Sequence, residues 1–323
     1  MTPEDAFLDD IREHPDDDAP RLIFADWLDD HGETDRAEFI RARVYRARIR
    51  GRESPEADEL TRRASALLAA NWQRWTAPLR PLFGDAPDHF NWPRTYRPEA
   101  ITHFPRGFVE SVEMEAGRFV AVAAELFRLC PIRHVHLHRA DEHAARLAEC
   151  PQLAWVEGLS FPDYARAPLG PRGMVSLAGS PHLGRLWLLW LSRNYLGDEG
   201  LVALAAAPWL DHLRAVSLSD NGASDRGAEA LARTPRAFRP RKLFLHRNAI
   251  GDRGAIALAE SPVLEEVRTL TLAGCGIGPA GAAALAGSEH LLSLEEIDLS
   301  DNPLTGAGEA IVRSAPWGRR ARL

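Results

Sequence analysis

The stretch Leu186-Trp187-Leu188-Leu189-Trp190-Leu191-Ser192-Arg193-Asn194-Tyr195-Leu196 decides the fold, because its pattern L-x-x-L-x-L-x-x-N-x-L returns every 27 residues. It recurs as Leu213-Val216-Leu218-Asn221-Ala223, Pro240-Leu243-Leu245-Asn248-Ile250, Val267-Leu270-Leu272-Cys275-Ile277 and Leu294-Ile297-Leu299-Asn302-Leu304. A fixed period with the same side chains in the same places marks units that stack, each covering the apolar face of its neighbour. Within a unit, Leu189 and Leu191 alternate with other residues, which predicts a short strand with one buried face. Between strands lie Ala- and Leu-rich words such as Gly200-Leu201-Val202-Ala203-Leu204-Ala205 and Gly254-Ala255-Ile256-Ala257-Leu258-Ala259. These predict helices on the opposite side, with Asp198, Asp225 and Asp252 favouring their starts.

Working outward, Val109-Val112-Met114, Ile132-Val135-Leu137 and Val156-Leu159-Phe161 fit three earlier strands, spaced 23, 24 and 30 residues apart before the period locks. About eight units result. The pattern resembles the leucine-rich repeat, and the G-x-x-x-L-A word resembles its ribonuclease-inhibitor-like subclass. The resemblance implies an α/β solenoid with a curved parallel sheet inside and helices outside, whose concave face binds another macromolecule. Asn194, Asn221, Asn248 and Asn302, with Cys275 in the seventh unit, would then form an internal ladder that satisfies backbone groups of neighbouring turns.

Upstream of the repeats the chain reads as helical. Ala6, Phe7, Leu8 and Ile11 have helical spacing, and Pro15 ends that segment. Asp16-Asp17-Asp18 precede a second helix through Leu22, Ile23, Ala25, Trp27 and Leu28, where acids suit the positive helix end. Gly32 closes it. A third helix runs from Glu38 through Ile49, and a fourth spans Leu60 to Trp75 with Leu67, Leu68, Trp72 and Trp75 as its buried stripe. The words Ala25-Asp26-Trp27-Leu28 and Ala37-Glu38-Phe39-Ile40-Arg41 resemble the bacterial repeat-companion domain, a short N-terminal module found ahead of repeats. That resemblance covers roughly the first 45 residues and implies no activity. The expected organisation is a small all-α domain over 1–75, a connector and cap over 76–107, and a repeat solenoid over 108–323. The connector carries Pro78, Pro81, Pro87, Pro93, Pro98 and Pro105 with Phe83, Phe90, Trp92, Tyr96 and Phe104, too many aromatics for a free linker.

Composition narrows the function classes. Of 323 residues, 45% are hydrophobic and 26% charged, and the net charge is −7. General nucleic-acid affinity is not expected. Residues 1–40 hold fourteen Asp and Glu against three Arg, while residues 41–80 hold ten Arg against four acids, so the two stretches should attract each other. Lys242 is the only lysine. No apolar stretch is long enough to span a bilayer, and Met1 to Asp10 is acidic with no signal-peptide core. Cys130, Cys150 and Cys275 suggest no disulfide framework, so a reducing, cytoplasmic location is expected.

Site candidates come from strand alternation. The concave middle row reads Glu113, His136, Ser160, Trp190, Ser217, Phe244, Thr271 and Asp298. Leu188, Trp190 and Phe244 are large apolar residues on a face expected to be wet, with Ala215 and Ser217 as a small floor. Two rings two strands apart would flank a slot ~10 Å wide. Such anchors typify binding hot spots, with Ser217, His246 and Thr271 as polar contacts. His134, His136 and His138 share one side of one strand near Glu113 and Glu115, a weak candidate for metal binding. Glu296, Asp298, Ser300 and Asp301 make one end acidic, whereas Lys242, Arg247, Arg319, Arg320 and Arg322 are basic. No calcium loop, G-x-S-x-G word, phosphate-binding loop or metalloprotease helix occurs.

These readings converge on a non-enzymatic protein-binding scaffold without a cofactor. Alternatives are a regulator that docks on an enzyme, as nuclease inhibitors and GTPase-activating proteins of similar architecture do, and a metal-binding protein centred on the three histidines.

Overall fold

The computed structural model describes residues 2–49, 54–83, 104–162, 167–234 and 237–323. Most of the connector, including Pro87, Phe90, Trp92, Pro93, Tyr96 and Pro98, lies outside the described residues. The chain forms two compact units, Met1–Met114 with Arg118–Val135, and Glu115–Gly117 with His136–Leu323.

The first unit is built on α1 (Pro3–Glu13), α2 (Ala19–Asp30), α3 (Thr34–Arg48), α4 (Pro55–Thr76) and the single turn α5 (Arg80–Phe83). Thr2 caps α1 in a reciprocal box with Asp5, and Ser54 caps α4. Leu8, Ile11, Phe24, Leu28, Ile40, Val44 and Phe108 form one core. Gly107 has φ +91°, and a Cβ there would lie 2.8 Å from the Ile40 backbone, so this turn onto α3 requires glycine. In α4 the buried residues are Ala57, Ala64, Leu68 and Thr76, whereas Leu67, Trp72 and Trp75 are only half-buried. The expected stripe is therefore shifted toward small residues that admit α3. The charge asymmetry is resolved locally. Arg41 bridges Asp26 and Asp29 at 2.6 and 2.5 Å, Arg48 meets Asp18, Arg74 meets Glu33 and Arg63 meets Glu38.

Deeper in this unit, Arg21 and Glu110 are 0% and 3% exposed and joined at 3.0 Å. Burial pushes the Glu110 carboxyl up and the Arg21 guanidinium down, each offset by its partner's charge. β1 (Ser111–Glu115) and α6 (Ala116–Leu129) follow.

From β2 (His134–His138) onward, strand and helix alternate in the expected rhythm. The series continues as α7 (Ala144–Ala148), β3 (Gly158–Ser160), α8 (Gly170–Ala178), β4 (Leu188–Trp190) and α9 (Gly197–Ala206). Next come β5 (Ala215–Ser217), α10 (Asp225–Ala232), β6 (Lys242–Phe244), α11 (Gly251–Ala259), β7 (Thr269–Thr271), α12 (Pro279–Ala286), β8 (Glu296–Asp298), α13 (Gly306–Ser314) and β9 (Ala321–Arg322). The strands β3 to β9 are parallel neighbours in chain order, with Leu189, Val216, Leu243, Leu270 and Ile297 aligned across the sheet. Those five residues are 0% exposed. The architecture is an α/β repeat solenoid preceded by an all-α region.

β9 departs from expectation. The C-terminal arginines are basic but do not trail free of the repeats: Ala321 and Arg322 pair with Ile297 and Asp298 as a further strand. Arg320 donates to the Leu294 carbonyl at 2.6 Å. A two-residue strand carries too little apolar alternation to register as a repeat.

Side chains tie one unit to the next. Asn221 Oδ1 accepts from Asn194 N and Leu196 N at 2.9 and 3.3 Å, while Asn221 Nδ2 donates to the Leu191 carbonyl at 2.8 Å. Asn248 repeats this toward Asn221, Ala223 and Leu218. Asn302 repeats it toward Cys275, Ile277 and Leu272. Cys275 Sγ takes the amide's place, 3.2 Å from the Leu245 carbonyl. The residue before each of these turns left-handed: φ is 58° at Arg193, 56° at Asp220, 57° at Arg247, 61° at Gly274 and 59° at Asp301.

Two further sets of side chains, which the repeat pattern does not reveal, also link the units. Ser180, Thr234, Ser261 and Ser288 donate their hydroxyls to the carbonyls of Ala148, Ala205, Ala232 and Ala259, closing helix C-termini of the preceding unit. Two of the three acids act one unit further on than expected, while Asp225 stays at the start of its own helix and accepts from Arg226 N at 3.0 Å. Asp198 Oδ1 accepts from Ser224 N and Gly227 N at 2.7 and 3.0 Å, so it caps α10 rather than its own helix. Asp252 caps α12 through Gly278 N and Gly281 N. Neighbouring helices lie so close that a Cβ on Gly254 would approach Ala228 Cβ at 3.0 Å.

Candidate functional site

On β4, β5 and β6 the core takes Leu189, Val216 and Leu243, so Leu188, Trp190, Ala215, Ser217, Lys242 and Phe244 lie on the opposite face. Trp190, Ser217 and Phe244 are aligned in register across the three strands. Trp190 and Phe244 do not flank a slot. Their ring centroids are 5.4 Å apart with planes at 23°, a stacked pair reaching over the middle strand. Alternate strands are ~10 Å apart, and a serine between them leaves space that two leaning rings fill. Stacking of this kind adds about 0.5–1.5 kcal/mol beyond the area it buries. Trp190 is nevertheless 39% exposed, and Phe244 is partly exposed.

Ser217 was expected to offer a polar contact, but it is 2% exposed and its Oγ lies 2.6 Å from Ser192 Oγ. It belongs to the floor. Leu188 is half-buried at the start of β4. His246 and Thr271 remain partly exposed and contact each other, with His246 Nδ1 3.2 Å from Thr271 Oγ1 and 2.9 Å from Ser219 Oγ. Burial, followed by the neighbouring Arg247 charge, moves the His246 imidazole below its ordinary value and favours the neutral ring. The arrangement offers a fixed apolar platform with a neutral polar edge. The Ser219 hydroxyl beside the imidazole is 0% exposed, which denies it the access a nucleophile needs.

The three histidines do not assemble a metal centre. His136 Nδ1 lies 2.5 Å from Ser160 Oγ, His138 is buried, and Glu115 pairs with Arg139 at 3.2 Å. Among the described residues no three His, Cys, Asp or Glu side chains converge to hold a metal ion. At the acidic end, Asp298 lies 3.7 Å from Arg322 and accepts from the Ser300 hydroxyl at 2.6 Å.

Two exposed aromatics of the fourth unit were missed. Trp187 is 40% exposed, with Nε1 3.3 Å from Glu157 Oε2, and Tyr195 is 74% exposed at a left-handed φ of 52°. Both flank the strand rather than sit in it, so alternation gave no hint. Their crowding with Trp190 within nine residues was the available signal.

Residues 189–205, 211–232, 241–259, 267–286 and 290–308 match the family model described as Leucine Rich repeat. None of the curated proteins matches the chain.

Proposed function

We propose that the chain is a non-enzymatic protein-binding scaffold, and that its partner docks on the sheet face centred on Trp190 and Phe244. The stacked ring pair on β4 and β6, with Trp190 exposed and Phe244 partly so, carries this reading, since apolar side chains on a sheet face are costly unless something covers them. Leu188 extends the apolar surface, and His246 with Thr271 supplies polar contacts at its edge. The repeats are of the ribonuclease-inhibitor-like kind, and the N-terminal helices are a repeat-companion module in this reading. The buried, unpaired thiols of Cys130, Cys150 and Cys275 suit a reducing, cytoplasmic setting. Among the described residues no helix is long and apolar enough to cross a membrane.

The test is an affinity capture from cell lysate with the full chain and with Trp190→Ala/Phe244→Ala, compared by mass spectrometry. A protein retained by the native chain and lost by the double variant, with circular dichroism unchanged, supports the reading. Identical capture by both overturns it.

A further inference from the structure

The charges around the ring pair narrow the chemistry of its partner, a step that rests on the binding-face reading above. Arg214 precedes β5, Arg241 precedes and Lys242 opens β6, and Arg247 follows its end; all four are exposed. Nearby cations are neutralised: Arg193 by Asp220 at 3.1 Å, Arg239 by Glu265 at 3.0 Å and Arg268 by Glu295 at 3.0 Å. Among the described residues Arg214, Arg241, Lys242 and Arg247 have no carboxylate partner, and Arg214 turns instead to the carbonyls of Asp211 and Leu213. The local excess is thus positive in a chain of net charge −7. Along β4 to β9 the strand residues carry acids only at β8, with Glu296 and Asp298, while Asp220, which follows β5, is taken up by Arg193.

Lys242, Phe244 and His246 follow one another on one face in steps of ~7 Å. A segment running along β6 meets cations first, then the ring pair, then Arg247. We propose that this face receives an acidic segment of a protein partner: an apolar side chain on Trp190 and Phe244, flanked within two or three residues by Asp or Glu that face Arg241, Lys242 and Arg247. Single-stranded nucleic acid fits less well. Each ring here has one face on the other, which leaves at most one face per ring for a base to stack on. Phosphates carried across the sheet would also meet Glu296 and Asp298. Complementary charge of this kind contributes to association rate and partner choice and is screened by salt.

The test is a selection of random peptides displayed on phage against the immobilised full chain, with a parallel selection against Trp190→Ala/Phe244→Ala. Peptides enriched only by the native chain are resynthesised with a fluorescent label and titrated. The expected sequences hold an apolar residue flanked by Asp or Glu. Their affinity should fall roughly tenfold between about 50 and 500 mM salt, and again roughly tenfold with Arg241→Glu/Lys242→Glu, whose side chains are solvent-exposed. If the ring variant fails to fold, the salt titration and the charge-reversal variant decide alone. Ring-dependent peptides that are neutral or basic overturn the acidic assignment and leave the binding face standing. Enrichment without dependence on the rings overturns both. Tighter binding of labelled oligothymidine than of any selected peptide overturns the choice of a protein segment.

Discussion

Asn221 donates its backbone N–H to Asn248 Oδ1 at 3.1 Å, and the same bond recurs one unit earlier, from Asn194 N to Asn221 Oδ1 at 2.9 Å. Each asparagine therefore serves two units, receiving bonds at its oxygen and donating its amide to the strand before. The stacking of units depends on these shared polar groups as well as on leucine burial, because the turns they satisfy have little access to water.

Replacing Asn221 with Ala removes the partners of Asn194 N, Leu196 N and the Leu191 carbonyl together. The expected cost is about 2–4 kcal/mol, since buried polar groups left unsatisfied cost roughly 1–3 kcal/mol each and part of this relaxes. Urea unfolding followed by circular dichroism measures it. In the seventh unit, where Cys275 already occupies the ladder position, Cys275→Asn should leave the thermal midpoint unchanged or raise it.

Asp198 links two units through its carboxylate, which accepts from Ser224 N, the Ser224 hydroxyl and Gly227 N. Asp198→Ala should cost about 1–2 kcal/mol, the usual loss of a helix cap. Burial raises the Asp198 pKa, but the bonds from Ser224 and Gly227 outweigh it and hold the group below its ordinary 3.8. The stabilisation is therefore present above 3.8 and lost as pH falls through the depressed folded value. The difference in stability between native chain and variant should be constant near neutrality and shrink in strong acid, as thermal unfolding across pH would report.

Arg21 and Glu110 form a buried pair whose individual charges are each opposed by desolvation. Arg21→Met should destabilise the helical unit by about 3–5 kcal/mol, because it leaves the buried carboxylate without its hydrogen-bonded partner and with only the longer Arg133 contact at 3.8 Å. Arg21→Met combined with Glu110→Leu should recover much of the loss. A double variant as unstable as the single one would contradict the account, and chemical unfolding with both variants decides.

The repeat unit was legible because one physical requirement, a buried strand face, recurs with one spacing. Leu189, Val216, Leu243, Leu270 and Ile297 follow directly from alternation. The asparagine positions were equally readable from their invariant offset. What alternation cannot reveal is how side chains share space across strands. Trp190 and Phe244 lie 54 residues apart, and whether they flank a gap or close it depends on packing over Ser217. Asp198 illustrates a second limit: its offset fits its own helix, but its reach selects the next one. Arg21 and Glu110 sit 89 residues apart in segments with no shared pattern, so their pairing left no trace in periodicity.

The most direct test of the central claim is hydroxyl-radical footprinting of the full chain, alone and with its captured partner, read by mass spectrometry. Oxidation of Trp190 and Phe244 should fall in the complex, while the exposed helix residues Val175, Val202 and Ile311 keep their reactivity. Unchanged oxidation of Trp190 and Phe244, with protection confined to those helix residues, would contradict the account.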